Sequence, residues 1–510
     1  MARAIAVIDV GTSAVRMAVA DALEDGQVHL LETLSQGLSL GKDTFAEGAL
    51  QADTIEEAVS VLRSYGRKLV EYEIFDSGDI RVVATNAVRE ATNRLAFIDR
   101  VYIATGLAVE PIEDAEIHRI TYRGVYPLLQ GEPELRDSNV MVTEVGGGST
   151  ELLLFSEGDV AFSHSLRLGS LRLRQELTSL RSNAARYFDV MRRQVRRTID
   201  GLDKDTADTP PRHLVAMGGD VRFAARELLG EWEPGTLARV PVNDLEELAR
   251  EVMHLPVAEV VKKYRRTFPE AETLGPALLA DVEQARLFGL DTILVTRVNL
   301  RDGLLRELAG GEQWDDDLRS QIVRSAHALG HRYDYDRPHA TAVAESATRL
   351  FRELQPEHRL EDRFEVLLHV AALLHEIGYY VGISSYHKHS MYLIMHGELF
   401  GLSRSDMQLV GLVARYHRRA SPKATHPVYG VLDRDGRTAV MVMAAVLRVA
   451  IALNATRDGR RRDFDVLRQR GRLVVQVHGY QDFAAEQLAL SRSGNLLRDA
   501  FGMDATFRPA

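Results

Sequence analysis

The sequence predicts an α/β protein built from a duplicated unit, followed by an all-α region with a small α+β tail. Three observations predict it. First, a segment near the start is echoed further along. "AVIDVGTSAVRMAVAD" (Ala6 to Asp21) reads strand, acid, small turn, strand, and "VMVTEVGGGSTELLLF" (Val140 to Phe155) reads the same way. Asp9 falls on Glu144, Gly11 on Gly146 and Arg16 on Glu151, so the chain carries two copies of a strand–acidic turn–strand unit. Second, strand-like and helix-like segments alternate as far as Ala309, the pattern of sheets with crossover helices. Third, from about Leu318 the apolar period turns helical throughout.

The elements come in this order. "DTIEEAVSVLRSYGRKLVEY" sets Ile55, Val59, Leu62 and Leu69 near one helical face. "IRVVAT" is a β-branched strand, and "TNAVREATNRLAFIDRVYIATG" is a helix that stops at Gly106. "LAVEPIE" is a strand, and Asp114 caps the next helix, "AEIHRITYRGVYPLL". The second copy, from about Asn139 to Ala309, continues through "DVMRRQVRRTIDGL", "HLVAMGGDVRFAARELLG" and "TILVTRVNLRDGLLRELAGG". Gly310-Gly311 and "WDDD" mark a break. "HATAVAESATRLFRELQ", "RFEVLLHVAALLHEIGYYVG", "SDMQLVGLVARYHRR" and "TAVMVMAAVLRVAIALN" are the clearest later helices. A short strand, "RLVVQVHG", and a last helix close the chain. The divisions are 1–127, 128–312 and 318–510.

Composition narrows the function classes. The chain has 510 residues, 45% apolar and 27% charged, as expected of a soluble protein of several domains. Cysteine is absent, which excludes disulfides, thiolate metal sites and a cysteine nucleophile, and is compatible with a reducing cytosol. A net charge of −10 argues against a dedicated nucleic-acid binder. "MARAIAVIDVG" lacks the pattern of a secretory signal. "AVMVMAAVLRVAIAL" (Ala439 to Leu453) is short for a membrane span and contains Arg448, so a buried helix is expected. A cytoplasmic location is the expectation.

The glycine turns carry the chemistry. Gly11-Thr12-Ser13 and Gly146-Gly147-Gly148-Ser149-Thr150 offer backbone N–H groups plus hydroxyls, and Gly218-Gly219 before Asp220 is a third such turn. Glycine lets an anion come close to the backbone. Mg²⁺ needs hard carboxylate oxygens, usually through water, and Asp9, Glu144 and Glu151 supply them. Two readings remain open at this point. The turn between Glu144 and Glu151 is a hairpin with two solvated acids, or it is a loop that holds phosphate and a metal ion.

Asp9 to Ser13, "TNAVR" (Thr85 to Arg89), "EVGGGSTE" (Glu144 to Glu151) and "VNLRDGLL" (Val298 to Leu305) occur in that order. This set resembles the exopolyphosphatase/guanosine pentaphosphate phosphatase (Ppx/GppA) family, and "HRYDYDRPHATAVAESATRLF", "AALLHEIGYYVG", "YHKHSMYLI" and "LVARYHRR" resemble the HD-like helical domain of its long members. The resemblance implies duplicated actin/hexokinase/Hsp70-like lobes, dependence on Mg²⁺ or another divalent cation, and release of terminal phosphate from inorganic polyphosphate or pppGpp. It also implies a homodimer. Membrane and specific nucleic-acid partners are not expected. Arg89 would grip a phosphate. Glu151 would bind metal or orient the attacking water. Gly146 to Gly148, Ser149 and Thr150 would hold the phosphoryl group.

The sequence departs from the family at three places. Glu144 stands where relatives carry Asp, and Asp220 where they carry Thr. Aligning Arg119, Tyr122, Gly124 and Val125 puts Ile117 at the position of the family's catalytic glutamate, with Glu116 beside it as the candidate replacement. A weakened, phosphate-binding sensor is therefore the alternative function. A third is an HD-type phosphohydrolase, with candidate ligands His339, His375 and Glu376 but only Ile451 or Asn454 for the distant acid. "YHRRASPK" and "RDGRRRDFDVLRQRGR" are basic patches on an acidic protein. They make Arg418, Arg419, Arg460, Arg461 and Arg462 a candidate polyanion path.

Overall fold

Six consecutive residues of β1 (Arg3–Val10), from Ile5 onward, are buried. A run apolar on both faces suits only a strand covered on both sides. β1 pairs antiparallel with β2 (Ala14–Ala22) and parallel with β4 (Ile80–Ala84). With β3 (Val28–Gly37) and β5 (Val109–Pro111) the order is β3-β2-β1-β4-β5. The second sheet repeats this plan. β6 (Val140–Val145) pairs antiparallel with β7 (Thr150–Ser156) and parallel with β9 (His213–Met217). β8 (Asp159–Leu166), β10 (Ala238–Pro241) and β11 (Thr292–Val295) complete the order β8-β7-β6-β9-β11-β10. The echo in the sequence is thus an echo in topology. Within the hairpins, Asp9 lies opposite Arg16 and Glu144 opposite Glu151.

This computed structural model describes residues 3–24, 26–178, 184–233, 235–310, 314–397, 399–460, 462–469, 471–479 and 482–510. They form two compact units, Met1–Gln313 and Trp314–Ala510. In the first, the helix Ala52–Glu71 buries Val59, Leu62, Tyr65 and Leu69 at helical spacing, and Tyr65 Oη donates to the Val15 carbonyl at 2.9 Å. The helix Arg94–Thr105 ends at Gly106, whose φ of 74° is the left-handed cap expected of glycine. Asp114 is the first residue of the helix Asp114–Gly131 and not its cap; Glu113 holds that position. Ile117 packs with Ile5, Val7, Ile120 and Leu304. The helix Phe268–Leu287 buries Leu274, Leu278, Leu279 and Val282 and most residues between them. Burial on so many sides erases the amphipathic period by which a helix is recognised in sequence.

The second unit contains the helices Asp316–Arg332, Arg337–Glu353, Arg363–Leu374, Tyr386–Met395, Arg404–Arg415 and Arg434–Leu453. The last absorbs the long apolar stretch. It has 20 residues and passes a length-and-composition test for a membrane span, but 72% of its most apolar window is buried within the protein. Its Arg448 is buried, and the guanidinium donates to the carbonyls of Tyr416, Ala420 and Ser493 and to Asn495 Oδ1. A small sheet, β12 (Phe464–Gln469), β13 (Arg472–Val477) and β14 (Asp504–Pro509), closes the chain. β12 lies inside the stretch that reads as a basic run, because only its buried Phe464 betrays a strand among the charges.

Two glycines should respond oppositely to alanine. A Cβ on Gly169 would lie 2.3 Å from the Gly147 carbonyl oxygen, and backbone cannot swing aside. Gly169→Ala should therefore cost at least about 1–3 kcal/mol in denaturant unfolding. Gly66 lies inside the helix Ala52–Glu71 with nothing within 4 Å of the added carbon. Gly66→Ala should stabilise by about 0.5–1 kcal/mol.

Candidate active site

The two hairpin turns touch. A Cβ on Gly147 would come within 2.6 Å of Thr12 Cγ2, and one on Gly148 within 2.7 Å of Phe45 and 2.9 Å of Asn86 Cβ. The glycines are thus needed first to let the β6–β7 turn lie against the β1–β2 turn. The Gly146 amide donates to the Ser149 carbonyl at 2.9 Å, and the Gly146 and Gly147 carbonyls accept from Ser170, Leu171 and Arg172. The amides of Thr12, Ser13, Gly147, Gly148 and Ser149 have no protein acceptor among the described residues. The third turn is set by Gly218, whose φ of 114° excludes a side chain without strain. It opens the helix Gly219–Leu229, whose first amides have no partner within the helix.

These turns surround a cleft of about 310 Å³. It is lined by Asp9, Gly11, Thr12, Ser13, Gly146 to Gly148, Ser149, Gly218 and Gly219, and by Glu144 and Glu151. Thr150 is buried beside it and donates to the Leu168 carbonyl at 2.5 Å, so its hydroxyl serves the fold. Five arginines also line the cleft: Arg16, Arg222, Arg226, Arg266 and Arg301. None of them stands out as a site residue in the sequence. Arg16 is visible there as the counterpart of Glu151 and Arg301 lies in "VNLRDGLL", but Arg222, Arg226 and Arg266 carry no local signal.

Charge is unevenly compensated. Asp9 lies 3.4 Å from Arg301 and 3.9 Å from Arg16. Burial raises the Glu144 carboxyl above its ordinary range; Arg222 opposes this, while the charges of Asp9 and Glu151 add to it. Burial also acts to raise Glu151, but hydrogen bonds from His118, Ser149 and Ser165 outweigh it and the net shift is downward. Ser149 Oγ donates to Glu151 Oε1 at 2.5 Å; Ser165 Oγ donates to Oε2, which also lies 3.0 Å from His118 Nε2. Burial lowers Arg222 to about 10 and raises Asp220 to about 6.

Two expected residues lie elsewhere. Glu116 turns to Arg81, 2.5 Å away, and to Arg119, in a group that includes Glu307; Ile117 takes the place on the cleft wall. Adjacent helix positions point about 100° apart, so one of the pair faces the cleft and the other cannot. Arg89 does not line the cleft. It donates to the Ile112 carbonyl and to Asn86 Oδ1 and pairs with Asp114.

The donor set at the cleft fits a divalent cation through Asp9 and Glu144. Both are hard oxygen donors on the cleft, and Glu144 is crowded by the charges of Asp9 and Glu151, while three of the roughly four lone-pair sites of Glu151 already accept hydrogen bonds. Asp9, Glu144 and Glu151 do not form a close cage. Among the described residues, the one group of three ligand atoms within 4.8 Å of one another is His339, His375 and Glu376. Glu376 there is paired with Arg457, and Asn454 donates to Ser346 Oγ and the Ala450 carbonyl. Of the polyanion candidates, Arg418, Arg419 and Arg460 are exposed, and Arg418 stacks over Tyr386. Arg462 does not fit a polyanion path. It is 4% exposed and turned inward onto Thr456 and Asp458, its stem packed and its charge already met. Arg461 lies outside the described residues.

Residues 19–311 match the model of the Ppx/GppA phosphatase family, and residues 323–489 that of Ppx/GppA phosphatase domain III. The chain is 24% identical over 459 residues to the guanosine-5'-triphosphate,3'-diphosphate pyrophosphatase of Vibrio campbellii, covering 89% of this chain and 87% of that one. It is 25% identical over 456 residues to the same-named protein of Aeromonas hydrophila, covering 88% and 87%. Among solved structures, an exopolyphosphatase from Cytophaga hutchinsonii superposes with a TM-score of 0.55 at 20% identity, covering 61% of this chain and 99% of that one. That likeness establishes the fold of the first unit.

Asp220 gives a pH test. Its folded-state pKa of about 6 lies above the ordinary 3.8, so the folded protein holds this proton more tightly than the unfolded chain. Stability then falls as pH rises between those values, and the penalty is complete above about 6. Asp220→Asn should raise the melting temperature at pH 7–8, and the gain should shrink as pH falls toward about 4.

Proposed function

The chain belongs to the Ppx/GppA phosphatase family, and we propose that it hydrolyses a terminal phosphoanhydride of inorganic polyphosphate or pppGpp in the cleft between its two sheets. One observation carries the reading. Five guanidiniums and the acceptor-free amides of two glycine turns line the same small cleft as Asp9, Glu144 and Glu151. Such a lining matches a polyphosphate chain, whose oxygens need many donors, and leaves carboxylates for a cation and a water.

The transferred phosphoryl group sits against the amides of Gly147, Gly148 and Ser149, with Thr12 and Ser13 facing it from the first turn. Arg222, Arg226 and Arg266 hold the phosphates behind it. Phosphoryl transfer is mostly positioning and electrostatic stabilisation, so these fixed donors supply most of the catalysis. Glu151 is held ionised and keeps about one lone-pair site free, which orients the attacking water and takes its proton. Mg²⁺, held by Asp9 and Glu144 largely through water, would neutralise charge on the phosphoryl oxygens. Ile117 on the cleft wall favours the alternative, a protein that binds the same polyanions and turns them over little if at all. The HD-type reading has the His339–His375–Glu376 group in its favour, against which stands Arg457 on Glu376.

Phosphate release from long-chain polyphosphate, pppGpp and ATP, each with Mg²⁺ and with EDTA, separates these readings. Hydrolysis predicts Mg²⁺-dependent release from at least one of the first two. Glu151→Gln, nearly isosteric, should lower it by about 10²-fold or more, as loss of a positioned base does. Retained affinity without release supports the binding protein. Release that survives Glu151→Gln but disappears in His375→Ala supports the HD-type centre.

Arg418, Arg419 and Arg460 extend the proposal to chain length. Neutralising all three should weaken long polyphosphate more than pppGpp, and the difference should shrink as salt rises. An equal loss on both substrates argues against a polyanion path.

A further inference from the structure

Two adjacent positions set this site apart, Ile117 on the cleft wall and His118 behind it. His118 is 5% exposed and sits in the first turns of the helix Asp114–Gly131. Asp114, four residues earlier on the same helix, starts a line of hydrogen bonds. It pairs with Arg89, and Arg89 Nη2 donates to Asn86 Oδ1 at 2.6 Å. Asn86 Nδ2 donates to Ser149 Oγ at 2.6 Å, and Ser149 Oγ donates to Glu151 Oε1 at 2.5 Å. Glu151 Oε2 lies 3.0 Å from His118 Nε2. The line returns to the helix where it began, since positions i and i+4 share a helix face.

The donors on Glu151 are not equivalent. Ser149 and Ser165 offer hydroxyls, whose hydrogens rotate to follow an acceptor. The terminal torsion of a glutamate is itself soft. The His118 imidazole is the one rigid donor, fixed by a buried ring on a helix whose neighbours Ile117 and Ile120 pack into the core. Without it, the two seryl hydroxyls and the carboxylate can turn together.

We propose that His118 is a positioning residue for hydrolysis: it closes a hydrogen-bonded ring, Asp114–Arg89–Asn86–Ser149–Glu151–His118, that fixes the Glu151 carboxylate in the cleft. The inference rests on the reading of Glu151 as the carboxylate that faces the attacking water. It also gives Arg89 a role other than the phosphate grip that its position in the sequence implies. The ring ties the β6–β7 hairpin to the helix Asp114–Gly131 and to Asn86–Arg89 after β4, so the carboxylate's place is set by both copies of the duplicated unit.

The test compares kcat and KM of the full chain and its variants on whichever substrate the wild type hydrolyses fastest. His118→Leu should lower kcat by about 10²-fold, the usual cost of misplacing a reacting group by an ångström. KM should stay within about twofold, because His118 itself does not line the cleft that holds the phosphates. His118→Gln keeps an N–H at similar reach and should recover about tenfold or more of the loss. Asp114→Ala should combine with His118→Leu less than additively, since both open one ring. Melting temperatures identify any variant that fails to fold. Wild-type kcat in His118→Leu, or equal losses in the Leu and Gln variants, would overturn the proposal. Crystal structures of the wild type and His118→Leu decide it without turnover. The carboxylate of Glu151 should leave its place in the variant; an unmoved carboxylate with both seryl bonds intact refutes the inference. If the wild type releases no phosphate from any substrate, the functional reading fails by itself and the two structures still settle the ring.

Discussion

The contact between Gly147 and Thr12 is the constraint on which the rest of the site depends. The two turns approach until a Cβ on Gly147 would lie 2.6 Å from the threonine. That approach brings the ends of β1 and β6, and therefore Asp9 and Glu144, to one cleft. It also constrains the chain beyond each turn. Gly169 packs against the Gly147–Gly148 backbone, and Gly41 has Thr12 Cγ2 within 2.2 Å of its missing Cβ. Neither lines the cleft, so the glycines of this region first make room for one another. The amides of Gly147, Gly148 and Ser149, without a protein acceptor among the described residues, lie in the turn packed in this way.

Like charge in so small a space must be balanced from outside the turns. Arg16 and Arg301 approach Asp9, Arg222 acts on Glu144, and three hydrogen bonds hold Glu151. Burial outweighs that balance at Glu144, which stays above its ordinary pKa, and at Asp220, raised to about 6 despite Arg266, Arg16 and Arg222. Incomplete balance is what a site for a cation and a polyanion requires. A cleft already neutral would have no electrostatic reason to bind either.

Much of this was legible in the sequence. The echo of Asp9 in Glu144 became matching strand orders, and the three glycine turns all reached the cleft. Hairpin turns are local, and local chemistry is what a sequence displays. The arginines were not legible. Arg266 reaches the cleft from a segment whose relation to it is tertiary, and nothing marks Arg222 among the arginines of the helix that the third turn opens. Arg89 and Glu116 show the converse error. Each sits in a segment that resembles a functional motif, yet each side chain is held by a neighbour: Arg89 by Asp114 and Asn86, Glu116 by Arg81. A motif fixes where the backbone goes more firmly than where a long side chain points.

The exchange at residues 117 and 118 has the same origin. On a helix whose inner face packs against Ile5, Val7 and Leu304, an isoleucine at 117 joins the core at no desolvation cost, where a carboxylate would need a partner. The polar task then has to come from the next position, which points about 100° away and toward β7 and β8. There His118 meets Glu151 and Ser165, partners that a carboxylate at 118 would repel or only half satisfy. A histidine can donate to an acid at that site, and a glutamate cannot without first taking up a proton. The local chemistry of the pair is therefore coherent. The wall residue carries no charge, and the residue behind it meets the charge of Glu151.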